Sequence, residues 1–192
     1  MLGDRSYKIC SLSVIYSSDL SGGYKEGDDW EILSGKGHYE EVLCGFRFKV
    51  SPFAFFQVNT VVFEKMLALI ADFAEIDSGT TLFDVCCGTG AIGICLSKNA
   101  KKVVGVDIIE QAIDNARQNV KLNEGSIDAS KLIFHAGKAE EVMPPIVREE
   151  SSSENKIVGI VDPPRSGLHQ DVLRCLRTCK GMDRLVYVSC NA

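Results

Sequence analysis

The chain has 192 residues, of which 45% are apolar and 24% charged, with a formal net charge of −5. That balance describes a folded globular chain of about one domain and excludes disorder along its length. It also argues against gripping nucleic acid by bulk positive charge, and no stretch reaches the roughly 18 consecutive apolar residues of a membrane span. The opening MLGDRSYK has no apolar core of a secretory signal. The eight cysteines include the adjacent pair Cys86 and Cys87, and Cys95, Cys175, Cys179 and Cys190 fall within or at the ends of regular elements. Free thiols in a reducing, intracellular compartment are expected, not a disulfide scaffold. Charge is uneven: Arg165, Arg174, Arg177, Lys180 and Arg184 outnumber Asp162, Asp171 and Asp183 in residues 157–192. Either a locally basic face or an ordinary solvated helix accounts for that.

Residues 1–50 read as a β-rich segment, with turns at Ser21-Gly22-Gly23 and Ser34-Gly35-Lys36-Gly37. A helix is predicted over 59–75, with Asn59 as N-cap and an apolar stripe of Val62, Met66, Leu69, Ile70 and Phe73. From residue 81 the pattern alternates. TLFDVC is a buried strand, Gly88-Thr89-Gly90 a turn, and 91–99 a helix. KKVVGVDI is a second strand, followed by the helix EQAIDNARQNVKLN and the strand KLIFHAG. Residues 144–156, with prolines at one end and a polar remainder, are expected to form a surface loop. KIVGIVDPP is a fourth strand, 169–179 a helix, and RLVYVSC a fifth strand. Alternating strands and helices predict an α/β fold: a Rossmann-like parallel sheet with helices on both faces, preceded by a small β-rich segment. The expected division is 1–50, as part of a larger parent domain, and 51–192, a catalytic domain.

Open parallel sheets bind ligands outside the carboxyl ends of their strands. Three segments lie there. Gly88, Gly90 and Gly93 after the first strand allow close approach of a ligand, although a tight structural turn explains them equally. Asp107, ending the second strand 19 residues after Gly88, is placed to accept hydrogen bonds from ribose hydroxyls. With Glu110 three residues on, it also fits a helix N-cap in a capping box. Asp84, just before the loop, disfavours phosphates and suits a cationic amine, which favours S-adenosylmethionine over a dinucleotide. The fourth strand ends in Asp162-Pro163-Pro164-Arg165, a stiff exit whose carbonyls and carboxylate can meet a planar base. The fifth ends in Ser189-Cys190-Asn191, where Cys190 is either a nucleophile or a small buried side chain.

Together, SPFAFFQVNT (51–60), DVCCGTGAIG (84–93), VVGVD (103–107), DPPRSGL (162–168) and YVSCN (187–191) resemble the uracil-C5 methyltransferases of tRNA and rRNA over about residues 45–192. The resemblance implies S-adenosylmethionine as cofactor, contacted by Gln57, Cys86, Asp107 and Asp162. Asp84, Gly88 and Gly90 complete the candidate cofactor site. Cys190 would be the nucleophile, with Asp162 beside it as a catalytic residue. Phe55, Arg165 and Asn191 are the candidate substrate contacts, Phe55 being equally readable as core. An RNA partner is implied, with tRNA favoured over rRNA, and neither a metal nor a membrane is expected. The sequence departs from the family's pattern in Asp107, where glutamate is more frequent, and in Ala192, where proline usually follows the SCN motif. The family's proton-abstracting glutamate lies beyond that motif, so a truncated form with little turnover is expected. The competing readings are an amino methyltransferase acting on a purine, which needs no thiol, and a non-catalytic cofactor- or RNA-binding module.

Overall fold

A computed structural model of the chain describes residues 9–17, 29–52, 54–151, 155–164 and 167–189. Its centre is a parallel sheet of β5 (Thr80–Val85), β6 (Lys102–Asp107), β7 (Leu132–Ala136), β8 (Lys156–Val161) and β9 (Arg184–Tyr187), in the order β7-β6-β5-β8-β9. The three middle strands read TTLFDV, KVVGVD and KIVGIV and are buried along almost their whole length. Such near-continuous apolar runs belong to sheets covered on both faces. On one face lie α1 (Thr60–Ala74), α2 (Ala91–Leu96) and α3 (Glu110–Leu122), packed through residues such as Leu67, Ile94 and Ile113. On the other lie α4 (Ala139–Glu150) and α5 (Gln170–Thr178), around Phe83, Val104 and Met143. This is the expected fold class. Strands are added to one side of β5 as far as β7 and then to its other side from β8, and the ligand-binding crevice of such a sheet lies at the carboxyl ends of the strands at this switch point.

Two antiparallel hairpins precede the sheet. In the first, β1 (Ser11–Tyr16) with β2 (Asp29–Gly35), no residue is fully buried. In the second, β3 (Tyr39–Leu43) with β4 (Phe46–Val50), Leu43, Phe46, Phe48 and Val50 enter the same core as α1, α2 and α3. The outer edge of β4 is covered by an asparagine ladder on α3 and its cap. Asn123 accepts from Arg47 N and donates to Arg47 O, Asn119 accepts from Lys49 N, and Asn115 donates to Ser51 Oγ. The geometry follows from two repeats. Four helical residues rise about 6 Å and two strand residues about 6.8 Å, so side chains four apart on α3 meet strand positions two apart on β4. Buried carboxamides thus satisfy an edge that would otherwise be open.

Three expectations are corrected. Residues 144–150 are not loop but the second half of α4, with Pro144 and Pro145 inside it. Each proline forfeits a helical hydrogen bond, but Ala139, Met143 and Val147, spaced four apart, are buried against the sheet, and that burial outweighs the loss. The buried stripe of α1 is Phe63, Leu67, Ile70 and Ala74, while Val62, Leu69 and Phe73 are exposed. Apolar residues surround this helix, so periodicity alone could not choose its face. Regular structure also ends earlier than expected, at Leu96 in α2 and Tyr187 in β9. Asn59 is the N-cap of α1 as expected, its Oδ1 accepting from Val62 N at 3.1 Å.

Candidate functional site

Three carboxylates sit at the carboxyl ends of adjacent strands: Asp84 on β5, Asp107 on β6 and Asp162 just beyond β8. The β5 strand turns sharply on leaving the sheet. Cys86 has φ +62°, a left-handed conformation that is strained for a residue with a side chain. Cys86 N and Cys87 N both donate to Val106 O on the neighbouring strand. Gly88 follows at φ +53° and Gly90, the N-cap of α2, at φ +78°. A side chain on Gly90 would press against the Phe134 ring and Ala116 at about 3 Å, so this glycine is required for packing. A side chain on Gly88 would meet nothing within 4 Å, so this part of the loop faces open space.

Asp107 holds the loop to the sheet. Its Oδ2 accepts from Gly88 N at 2.9 Å and its Oδ1 from Ile109 N at 3.0 Å. The capping-box reading is therefore corrected: the N-cap of α3 is Ile109, and Asp107 closes a local turn before it. Each oxygen keeps a further lone pair for a hydroxyl donor. A third fastening was not foreseen. Asn119, fully buried, donates to Thr89 O at 3.2 Å and so links the glycine loop to the β4 ladder. Its signal in the sequence was a polar residue recurring every fourth position on the buried stripe of α3.

Asp84 is wholly buried. Its Oδ2 accepts from Gly93 N at 2.8 Å, and its Oδ1 has no hydrogen-bond partner. Burial raises its pKa, the Gly93 amide opposes the rise, Asp162 and Asp107 add to it, and the result is pushed up to about 7. Desolvation also raises Asp162. Cys86, in the field of all three acids, is pushed up to about 12, first by burial and then by Asp107, Asp84 and Asp162. Its thiol is thus held protonated at neutral pH. Among the described residues no lysine or arginine forms an ion pair with any of these carboxylates. Such a site repels phosphate and attracts a cation that also carries hydroxyls.

The structure thus brings together Asp84, Cys86, Gly88, Gly90, Asp107 and Asp162. Gln57 and Phe55 lie on the segment leading into α1, Gln57 half-buried and Phe55 74% exposed. Phe55 is therefore not a core residue; its neighbour Phe56 is, packing against Phe48 at 5.5 Å between ring centroids. Cys190, Arg165 and Asn191 lie outside the described residues. A separate group, Glu140, His169 and Asp171, brings donor atoms within 4.8 Å of one another. These residues start α4 and α5, where carboxylates offset the helix dipole, and Asp171 pairs with Arg174. All seven cysteines among the described residues are free thiols, and no helix there is long and apolar enough to cross a membrane.

A family model described as tRNA (Uracil-5-)-methyltransferase matches residues 44–192. The chain is 42% identical over 183 residues to the tRNA (uracil-5-)-methyltransferase homolog A of Mus musculus, covering 95% of this chain and 29% of that protein. It is 42% identical over 186 residues to homolog B of Danio rerio, covering 95% of this chain and 38% of that one. The chain thus spans about a third of the length of the curated relatives it matches. Among solved structures, the Pyrococcus abyssi tRNA (uracil-54, C5)-methyltransferase in complex with S-adenosyl-L-homocysteine superposes with a TM-score of 0.66. That match has 31% identity and covers 93% of this chain and 41% of that one. The Methanocaldococcus jannaschii tRNA m1G37 methyltransferase, 22% identical with a TM-score of 0.56, shares the fold. By sequence and by fold, the chain belongs to the tRNA (uracil-5-)-methyltransferase family.

Proposed function

We propose that this chain carries the catalytic part of an S-adenosylmethionine-dependent methyltransferase acting on C5 of a uridine in tRNA. The observation that carries the reading is the convergence of Asp84, Asp107 and Asp162 at the switch point of the sheet, with no described cation to neutralise them and with one oxygen of Asp84 unpartnered. S-adenosylmethionine fits these residues because it brings a cationic amine, a sulfonium and ribose hydroxyls but no phosphate. Asp107 would receive the ribose, the open face of Gly88 would admit the ligand close to the backbone, and Asp84 would act as counter-charge from behind the loop. Gln57, Cys86, Gly90 and Asp162 complete the cofactor site. When bound, S-adenosylmethionine supplies a methyl group on a positively charged sulfur.

Uracil C5 is too poor a nucleophile to take a methyl group unaided. A thiolate adding to C6 pushes its electron pair through the ring and makes C5 electron-rich. Cys190 is the residue proposed for this step. It belongs to the YVSCN motif that follows the apolar run of the fifth strand in the sequence, whereas Cys86 and Cys87 are held protonated by burial and the acids around them. Once C5 has taken the methyl group, removal of the C5 proton re-forms the C5–C6 double bond and breaks the C6–S bond, the sulfur leaving as a thiolate. This is the division of one hard step into easier ones that defines covalent catalysis. The target base must leave its stack to meet the thiol, and Phe55, Arg165 and Asn191 are proposed to receive it.

The test is mass spectrometry after incubation with S-adenosylmethionine and a 5-fluorouridine-containing tRNA, in which fluorine blocks the final proton loss. A methylated RNA adduct on Cys190, absent in Cys190→Ser, is the expected result. Unreduced methyl transfer by Cys190→Ser would overturn the covalent reading in favour of amino methylation.

A further inference from the structure

We infer that a cleft between the first hairpin, β4 and α3 binds single-stranded RNA beside the target uridine, an inference that rests on the reading of the chain as an RNA methyltransferase. The cleft has a volume of about 230 Å³ and is lined on one side by Trp30, Lys36 and Lys49, and on the other by Gln111, Asn115 and Gln118. Three kinds of group meet there. Trp30 is 41% exposed on a strand that is exposed throughout, so part of the residue is within reach of a ligand in the cleft. The turn beside it is held close by Gly37 at φ +68°, where an added side chain would collide with Ile32 and come within 3.5 Å of the indole. Lys36 and Lys49 form no ion pair with any described residue; Lys49 Nζ donates only to Gln118 Oε1, at 3.1 Å. Gln111 and Gln118 stand exposed on one face of α3, seven residues apart, and offer carboxamides to the cleft, while Asn115 between them is buried and bonded to Ser51 Oγ.

A stackable aromatic, uncommitted ammonium groups and carboxamides are the combination that single-stranded nucleic acid requires. The indole takes a base face, the lysines take phosphates, and the amides take base edges or 2′-hydroxyls. An acidic peptide would use the lysines and leave the indole and the amides without a role. The position of the cleft supports the same occupant. Its wall residue Ser51 opens the segment that carries Phe55 and Gln57, and Gln111 lies in the first turn of α3, four residues after Asp107. A strand lying in the cleft therefore runs toward the end of the sheet where the acids converge. In a chain of net charge −5, two unpaired lysines beside this route give phosphates a local point of entry.

Trp30 is the only tryptophan in the chain, so its fluorescence reports occupancy of the cleft directly. The 192-residue protein should be titrated with a short uridine-containing oligoribonucleotide and, separately, with polyglutamate. Quenching by the RNA, weakened by added salt, is expected, with no quenching by polyglutamate. The double variant Lys36→Gln, Lys49→Gln should weaken binding by about tenfold and flatten its salt dependence. Both positions are at the surface, and thermal melting checks that the variant is folded. Absence of quenching by RNA, equal quenching by polyglutamate, or unchanged affinity in the double variant would each overturn the cleft. An adduct on Cys190 without quenching removes the cleft and leaves the methyltransferase reading. Quenching without any adduct removes the covalent reading and leaves the cleft.

Discussion

At the amino ends of the central strands, charges are matched. Lys102 at the start of β6 meets Glu150 of α4 at 2.7 Å, and Thr81 at the start of β5 donates to the other oxygen of the same carboxylate. Burial pushes the Glu150 carboxyl up, but Lys102 and Thr81 pull it net below its usual range. Arg184 at the start of β9 meets Glu75 at 2.8 Å, and Asp183 accepts from Ile157 N at 2.7 Å. At the carboxyl ends of the same strands, Asp84, Asp107 and Asp162 converge with no described cation among them, and one oxygen of Asp84 has no partner. One end of the sheet is satisfied by its own residues. The other is left short of positive charge, a stability cost accepted where a ligand is to complete the set.

The largest expected effect breaks the unsatisfied end. Asp84→Asn keeps an acceptor for Gly93 N and removes the charge. Calorimetry should show a loss of tenfold or more in S-adenosylmethionine affinity, while the ligand-free protein melts at a higher temperature at pH 8. The sign follows from the raised pKa. The folded state holds this proton up to about pH 7, whereas an unfolded aspartate loses it near pH 4. Stability from this group therefore falls as pH rises through that window and is flat above it. The full cost is about 4 kcal/mol, and the asparagine variant should escape it. An Asp84→Asn chain that melts lower at pH 8 would contradict this.

The second prediction concerns pH and the ligand. Cofactor binding favours the ionised form of Asp84, so affinity should rise by about tenfold between pH 6 and pH 8 and then level off. In Asp84→Asn that rise should be absent. The third moves to the matched end. Glu150→Ala strands Lys102 and Thr81 and should cost about 1–3 kcal/mol in denaturant unfolding. Cofactor affinity should change by less than about twofold, because the two sites are independent. The smallest effect is expected at the exposed pair Lys138–Glu141, 3.3 Å apart. Lys138→Ala should change stability by no more than about 0.5 kcal/mol.

Much of this contrast was legible in the sequence. The buried strands announce themselves as apolar runs, and the residues that end them, Asp84, Asp107 and Asp162, are thereby placed at the carboxyl edge. What periodicity cannot carry is tertiary burial. Pro144 and Pro145 signal a break, but Met143 and Val147 hold the helix against the sheet. The apolar surface of α1 offers two stripes, and only packing selects Phe63 and Leu67 over Val62 and Leu69. The pairing of Asn115, Asn119 and Asn123 with β4 joins residues about 70 positions apart, beyond any local pattern. The unpartnered oxygen of Asp84 likewise depends on what surrounds it in space.

The most direct test is calorimetric titration of the 192-residue chain with S-adenosylmethionine at pH 8 and at pH 6. One ligand should bind per chain at pH 8, about tenfold more weakly at pH 6, with a proton released on binding at the lower pH. No binding at pH 8, or an affinity indifferent to pH and to Asp84→Asn, would contradict the claim that the carboxyl end of the sheet is left acidic to receive a cationic cofactor.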